Sequence, residues 1–158
     1  VGALIYVETS IPTFYFETRP AVEHRARRKW TREWWELASV RDTLVTSLAA
    51  LIELERAPQP KSGDGLALLA ALPLLESTVE VDDLVTAYLA HKLMPRDAAG
   101  DARHLALATF HGCDALATWN CRHIANLSKQ AHVRRVNGTL GYATPALVTP
   151  LELLEAEA

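Results

Sequence analysis

Three observations predict an α/β fold with a central parallel sheet of about four to five strands and helices on both of its faces. Residues Ala3 to Val7 form a short continuous apolar run, as expected of a strand buried on both faces. Strand-like runs then alternate with helical patterns along the chain, which favours parallel strands joined by helices. Finally, polar residues recur at strand ends and helix starts, and in such a fold those places share the sheet edge where ligands bind.

The bulk properties set the frame. A chain of 158 residues suits a single domain, residues 1–158, with a buried core. At 49% hydrophobic and 22% charged it has the composition of a soluble globular protein. A formal charge of −3 argues against coating nucleic acid through bulk charge, although a local basic patch stays open. Cys113 and Cys121 flank one predicted strand, so a disulfide between them is not expected, and two reduced thiols point to the cytoplasm. No apolar run reaches the roughly 18 residues of a membrane span, so no membrane partner is expected. The opening V-G-A-L-I-Y-V lacks the basic region and cleavage site of a signal peptide.

The elements follow in order. The first strand ends at Glu8-Thr9-Ser10, so a carboxylate sits at its carboxyl end. From Pro20 to about Ser39 the pattern is helical, and Val22, Ala26, Trp30, Trp34 and Leu37 form one apolar stripe. Arg25, Arg28, Lys29 and Arg32 lie off that stripe, either as a solvated face or as a face that contacts phosphate. Thr43 to Ser47 is a second strand, and Ser47 can cap a helix over Leu48 to Arg56. Pro58 and Pro60 break that helix, and Q-P-K-S-G-D-G is a turn-rich connection. Leu66 to Leu72 is helical, Pro73 to Glu76 a third strand, and Asp82 to Leu93 a further helix. A turn from Asp97 to Gly100 then delivers Asp101 to a helix that stops near Gly112, and Asp114 to Trp119 is a strand ending at Asn120. Cys121 to His132 reads as a weak helix, V-R-R-V-N-G-T-L-G as a polar connection, Ala146 to Thr149 as the last strand, and Pro150 as the start of a final helix.

The chemistry gathers at four positions. Glu8 ends the first strand, Glu53 lies on the helix after the second, Asp101 opens the helix before the fourth, and Asn120 ends the fourth. Three carboxylates at one edge repel one another unless a cation lies among them. Oxygen ligands suit Mg²⁺ or Mn²⁺, which lower the pKa of a bound water and stabilise charge on phosphate, so the chemistry implied is metal-assisted phosphodiester hydrolysis. Each residue also has a structural use: Asp101 as a helix cap, Asn120 as a cap or Asx-turn, Glu53 as an exposed helix residue. His104, His111, His123 and His132 show no zinc-ligand spacing, and phosphate-binding glycine loops and the nucleophile elbow are missing.

The same residues carry a family resemblance. The chain resembles the PIN-domain (PilT N-terminus) nucleases, and within them the VapC-like toxins of type II toxin–antitoxin systems. The matching motifs are Glu8-Thr9-Ser10 after the first strand, Glu53-Leu54 on the helix after the second, Asp101 opening D-A-x-H-L-A-L-A, and Thr118-Trp119-Asn120 ending a strand. The resemblance implies a three-layer α/β/α sandwich, Mg²⁺- or Mn²⁺-dependent endoribonuclease activity, a small antitoxin partner and a homodimer. Carried onto this chain, it makes Glu8, Glu53, Asp101 and Asn120 the catalytic, metal-holding set that activates a water against the phosphorus. Thr9 or Ser10 would steady Glu8 or contact phosphate, and Arg122 and the basic helix face would contact RNA. Glu8 replaces the more usual Asp, Asn120 is uncharged where some members have Asp, and Arg103 either turns to solvent or pairs with a carboxylate. A catalytically weak PIN-like module that binds RNA or protein is the alternative. A small-molecule phosphatase is a further one, though the D-x-D it would carry after the first strand is missing. A homodimer could use Trp34, Trp35 and Leu37 as an apolar contact.

Overall fold

A computed structural model describes residues 2–57, 61–95 and 99–156. Among these the chain forms five strands, β1 (Leu4–Val7), β2 (Thr43–Ser47), β3 (Leu74–Leu75), β4 (Ala115–Ala117) and β5 (Ala146–Val148). The helices are α1 (Ser10–Tyr15), α2 (Val22–Arg41), α3 (Leu48–Glu55), α4 (Lys61–Ala70), α5 (Val79–Ala90), α6 (Ala99–Phe110), α7 (Leu127–Leu140) and α8 (Pro150–Glu155). The strands make one parallel sheet in the order β3-β2-β1-β4-β5. The α/β fold with a central parallel sheet is thus as expected. β1 lies at the centre, with Ile5 opposite Leu44 of β2 and Ala115 of β4. The chain builds outward from β1 through β2 and β3, then returns to add β4 and β5 on the other side. The crevice between β1 and β4 is therefore the switch point of the sheet, where α/β folds bind ligands.

Alternation along β1 feeds two cores. Tyr6 turns to one face and packs with Leu84 and Tyr88 of α5, Leu105 of α6 and Val133 of α7. Ile5 and Val7 turn to the other and pack with Trp34 of α2, Leu54 of α3 and Leu69 of α4. All of these residues are buried, so the central strand is apolar on both faces, the reason its sequence is continuous rather than alternating.

Several elements differ from the sequence reading. The segment after β1, given no element in the sequence reading, is helix α1, with Pro12 in its first turn, where the missing N–H costs no helical bond. The buried face of α2 is Thr31, Trp34 and Ala38, whereas Val22 is 77% exposed and Leu37 49% exposed. The stripe is rotated because Trp119 docks on α2, its indole N–H donating to Thr31 Oγ1 at 2.8 Å. Trp34 is fully buried within the subunit, which removes it from the apolar surface contact suggested for a homodimer. The polar connection V-R-R-V-N-G-T-L-G is in fact the body of α7, and most of Cys121 to His132 is the turn before it and its first turns. Asn126 caps α7 by accepting from Lys129 N at 2.8 Å, and Gly141, at φ 86°, ends it in the left-handed conformation. Asn137, a turn signal in sequence, is instead buried, and its Oδ1 accepts from the Tyr88 hydroxyl at 2.6 Å. The expected turn at Asp97 and the prolines Pro58 and Pro60 lie outside the described residues. Gly100 is not the end of a turn, because α6 already begins at Ala99.

Candidate active site

β1 delivers Glu8 to the carboxyl edge of the sheet, and Glu8 N extends the β1–β4 ladder by donating to Ala117 O at 3.2 Å. The side chain is only 5% exposed. Its Oε1 accepts from Ser10 N at 2.9 Å, from Thr118 Oγ1 at 2.8 Å and from the Ser10 hydroxyl. Ser10 Oγ in turn accepts from Trp119 N at 2.7 Å, and Thr118 Oγ1 accepts from Asn120 N at 2.9 Å. The ends of β1 and β4 are thereby tied together through one carboxylate. Two of these partners, Ser10 and Thr118, come from the T-S and T-x-N motifs and act on Glu8 directly.

A second chain of hydrogen bonds crosses from β2 to α6. The Tyr6 hydroxyl lies 2.7 Å from Ser47 Oγ and 2.6 Å from His104 Nδ1, and His104 Nε2 pairs with Glu53 Oε1 of α3. His104 is fully buried, while the Glu53 side chain keeps 38% of its exposure. Gly100 adjoins this pair, and a Cβ there would make only ordinary contact with Glu53 Oε1, at 3.4 Å. The Thr9 hydroxyl is shut off from solvent without a well-formed hydrogen bond, yet it lies near enough to Glu53 to help lower that carboxyl's pKa.

Asp101 lies in the first turn of α6, favourably placed for the helix dipole. Its Oδ2 accepts from Asn120 Nδ2 at 3.1 Å, while Asn120 Oδ1 accepts from His123 N at 3.0 Å. The amide of Asn120 is thus committed at both ends: it holds Asp101 and starts the turn that follows. Arg103 turns away from the site and pairs with Asp82 Oδ1 of α5 at 2.9 Å, so it does not compete for the site carboxylates. Arg122 is exposed beside this edge.

The electrostatics have one sign. Burial pushes the Glu8 carboxyl up, and the positive field of His104 with the hydrogen bonds from Ser10 and Thr118 only partly offsets it. Burial also raises Asp101, with Glu53 adding repulsion against the opposing pull of His104, His123 and Asn120. For Glu53 burial works upward too, but the hydrogen bond and charge of His104 outweigh it, and the carboxyl ends below its usual range. His104 is the counterpart: burial opposes its charge, yet Glu53, Glu8 and Asp101 together raise its pKa. One imidazole therefore faces three carboxylates, which favour its protonated form, while burial keeps two of the three, Glu8 and Asp101, above the usual carboxylate range.

Glu8, Glu53, Asp101 and Asn120 are brought to one edge, as the sequence suggested. The sequence alone gives no site role to His104 or Tyr6, marks Ser47 only as a helix cap and Thr118 only as part of the T-x-N motif. A lone histidine on an apolar helix gives no sign in sequence that its partner lies on α3. The donor set suits a hard divalent cation in kind and in charge. It is not a closed cage: among the described residues no three His, Cys, Asp or Glu side chains are grouped to hold an ion. Mg²⁺ commonly uses one or two carboxylates and retains water, so an open site agrees with its habits. Both cysteines are free, and burial pushes the Cys113 thiol up to about 12, which makes it unreactive.

Fold and site together define an α/β protein with an acidic edge at its switch point. Comparison with known proteins gives no matching family model and no curated protein of significant similarity. Among the described residues no helix is long and apolar enough to cross a membrane.

Proposed function

We propose that this protein is an Mg²⁺- or Mn²⁺-dependent endoribonuclease of the PIN-domain kind, resembling the toxin of a type II toxin–antitoxin system. One observation carries the reading: Glu8, Glu53 and Asp101, from three different elements, gather around His104 at the carboxyl edge of the sheet, and burial raises the pKa of both Glu8 and Asp101. Glu8 and Asp101 are the residues that would hold the cation, with Glu53 beside them under the control of His104. A bound Mg²⁺ or Mn²⁺ supplies a water of lowered pKa and stabilises charge on the phosphate. The chain's own residues do the positioning. Ser10 and Thr118 fix Glu8, Asn120 fixes Asp101, and His104 fixes Glu53. Arg122, exposed two residues after Asn120, is available to an RNA phosphate.

The experiment is incubation with structured RNA in Mg²⁺ or Mn²⁺, with EDTA and Asp101→Ala as controls. Cleavage abolished by both is the expected result, and cleavage indifferent to both would sink the reading. A second reading, a PIN-like module that binds RNA or protein without turnover, is favoured by the buried His104, whose ring pairs with Glu53 and whose protonated form the surrounding carboxylates favour. Tight RNA binding without cleavage would select it. A small neighbouring reading frame with a DNA-binding amino terminus would support the antitoxin partner, and sedimentation would test the homodimer.

A further inference from the structure

We infer that the amino-terminal half of α2 is a docking groove for the backbone of single-stranded RNA, an inference that rests on the ribonuclease reading and extends it to a second surface. The groove is shallow and open, a volume of about 590 Å³ bordered by Val22, Arg25, Ala26, Arg28, Lys29 and Arg32, all of α2. Four of the six lining residues are cations and none is a carboxylate. Along the helix, Arg25 to Arg32 covers about 10 Å at 1.5 Å per residue, a reach that spans more than one phosphate.

Among the described residues no ion pair joins Arg25, Arg28 or Arg32 to a carboxylate. Arg28 Nη1 donates to Glu17 O at 3.4 Å, and Arg32 Nε donates to Tyr15 O at 2.8 Å. Backbone carbonyls thus aim both guanidiniums without cancelling their charge. Lys29 reaches Glu33 only at 3.9 Å, with both side chains largely exposed, a pair of little energetic weight. Among the described residues Arg25 has no ion pair. In a chain whose formal charge is −3, the groove's four cations fall within eight residues at the amino-terminal half of this helix, and the carboxylates of the same face, Glu33 and Glu36, follow only on its next turn.

Two further features favour RNA over an acidic peptide. Half-buried rings border the groove: Arg32 lies 4.7 Å from the Tyr15 ring centroid, and Tyr15 packs edge-on against Phe16 and Trp35. Ring faces stack on any base but have no particular use for glutamate side chains. The cations also lead to the acidic edge. Arg27, on the same helix, lies 5.0 Å over the Trp119 ring and 5.3 Å over Phe14. Trp119 stands between Thr118, which holds Glu8, and Asn120, which holds Asp101. A strand lying on α2 is thereby led towards the carboxylates, where no basic residue of the groove itself reaches.

The test is fluorescence anisotropy of labelled oligouridine with the full chain in EDTA, where nothing is cut. Arg25→Gln/Lys29→Gln removes two charges and no contact beyond the weak Lys29–Glu33 pair, and circular dichroism checks that it folds. Affinity at low salt should drop roughly tenfold, and the slope of log K against log salt should flatten by about 1.4, at about 0.7 per lost phosphate contact. Asp101→Ala should bind oligouridine at least as well as the unaltered chain. Unchanged affinity and slope in the double variant would overturn the groove, as would absence of oligouridine binding by the unaltered chain. Displacement by polyglutamate as effective as by RNA would overturn it in favour of an acidic protein segment. If the groove variant binds normally while Asp101→Ala abolishes cleavage, the groove falls and the ribonuclease reading stands; RNA bound through the groove without cleavage reverses that result.

Discussion

Replacing Asp101 by Asn asks whether the acidic edge is short of positive charge. Asn keeps the shape of the side chain and an oxygen to accept from Asn120 Nδ2, now at 3.1 Å, while it removes one charge. Burial and the neighbouring Glu53 both disfavour the ionised Asp101 carboxyl. Without metal, the substitution should therefore stabilise the fold, by about 1 kcal/mol on the scale of half-screened charge interactions. In a chain of this length each kcal/mol moves Tm by about 2–4 °C, so a rise of that size is expected in EDTA. Metal reverses the ranking. At a hundredfold excess over Kd, Mn²⁺ should stabilise the unaltered protein by about 2.7 kcal/mol, or about 5–11 °C, and the Asn variant hardly at all. Differential scanning fluorimetry in EDTA and across an Mn²⁺ titration reads both effects. The reasoning is refuted if Asp101→Asn is less stable than the parent in EDTA, or if Mn²⁺ raises both proteins equally.

Two further predictions follow from the hydrogen-bond chains. His104 has a folded pKa above its ordinary 6.5, so its contribution to stability is complete below that value and is lost as pH rises through the folded pKa. Glu53 has a folded pKa below its ordinary 4.5, so its contribution is present above 4.5 and is lost as pH falls through the folded value. Urea titrations should show the pair at full strength between these limits and a decline above pH 6.5; His104→Gln should flatten that decline, and an unchanged slope would show that another group causes it. Ser10→Ala removes a donor to Glu8 and leaves Trp119 N without its acceptor. A loss of about 2–4 kcal/mol by urea denaturation is expected, since both a charge-assisted bond and a satisfied backbone donor disappear; a loss below about 0.5 kcal/mol would mean that Ser10 does not hold this edge.

Much of the site could be read from the chain because its residues occupy positions with local signatures. Glu8 follows a continuous apolar strand, and Ser47 precedes α3 as a cap, accepting from Ala50 N at 3.4 Å. Those features depend on a few neighbouring residues, which a linear pattern records. The buried face of α2 and the path of α7 do not. Trp34 and Leu37 are equally apolar in sequence, but only the docking of Trp119 on Thr31 decides which of them faces the core. α7 is polar by composition and holds both Asn137 and Gly138, yet Asn137 is satisfied inside the protein by Tyr88, from a helix far along the chain.

The division has a physical cause. Alternation of strand and helix, strand burial on both faces and the order of the acidic residues are local in sequence, and they sufficed to place Glu8, Glu53, Asp101 and Asn120 at one edge of a parallel sheet. Which atoms compensate those charges is a matter of contacts between residues distant in sequence. His104 meets Glu53 across 51 residues and Tyr6 across 98, and Thr118 meets Glu8 across 110. A hydrogen bond at such separation leaves no periodicity in the chain, so only the folded sheet, which brings α3, α6 and the ends of β1 and β4 together, decides that an imidazole and two hydroxyls govern the carboxylates.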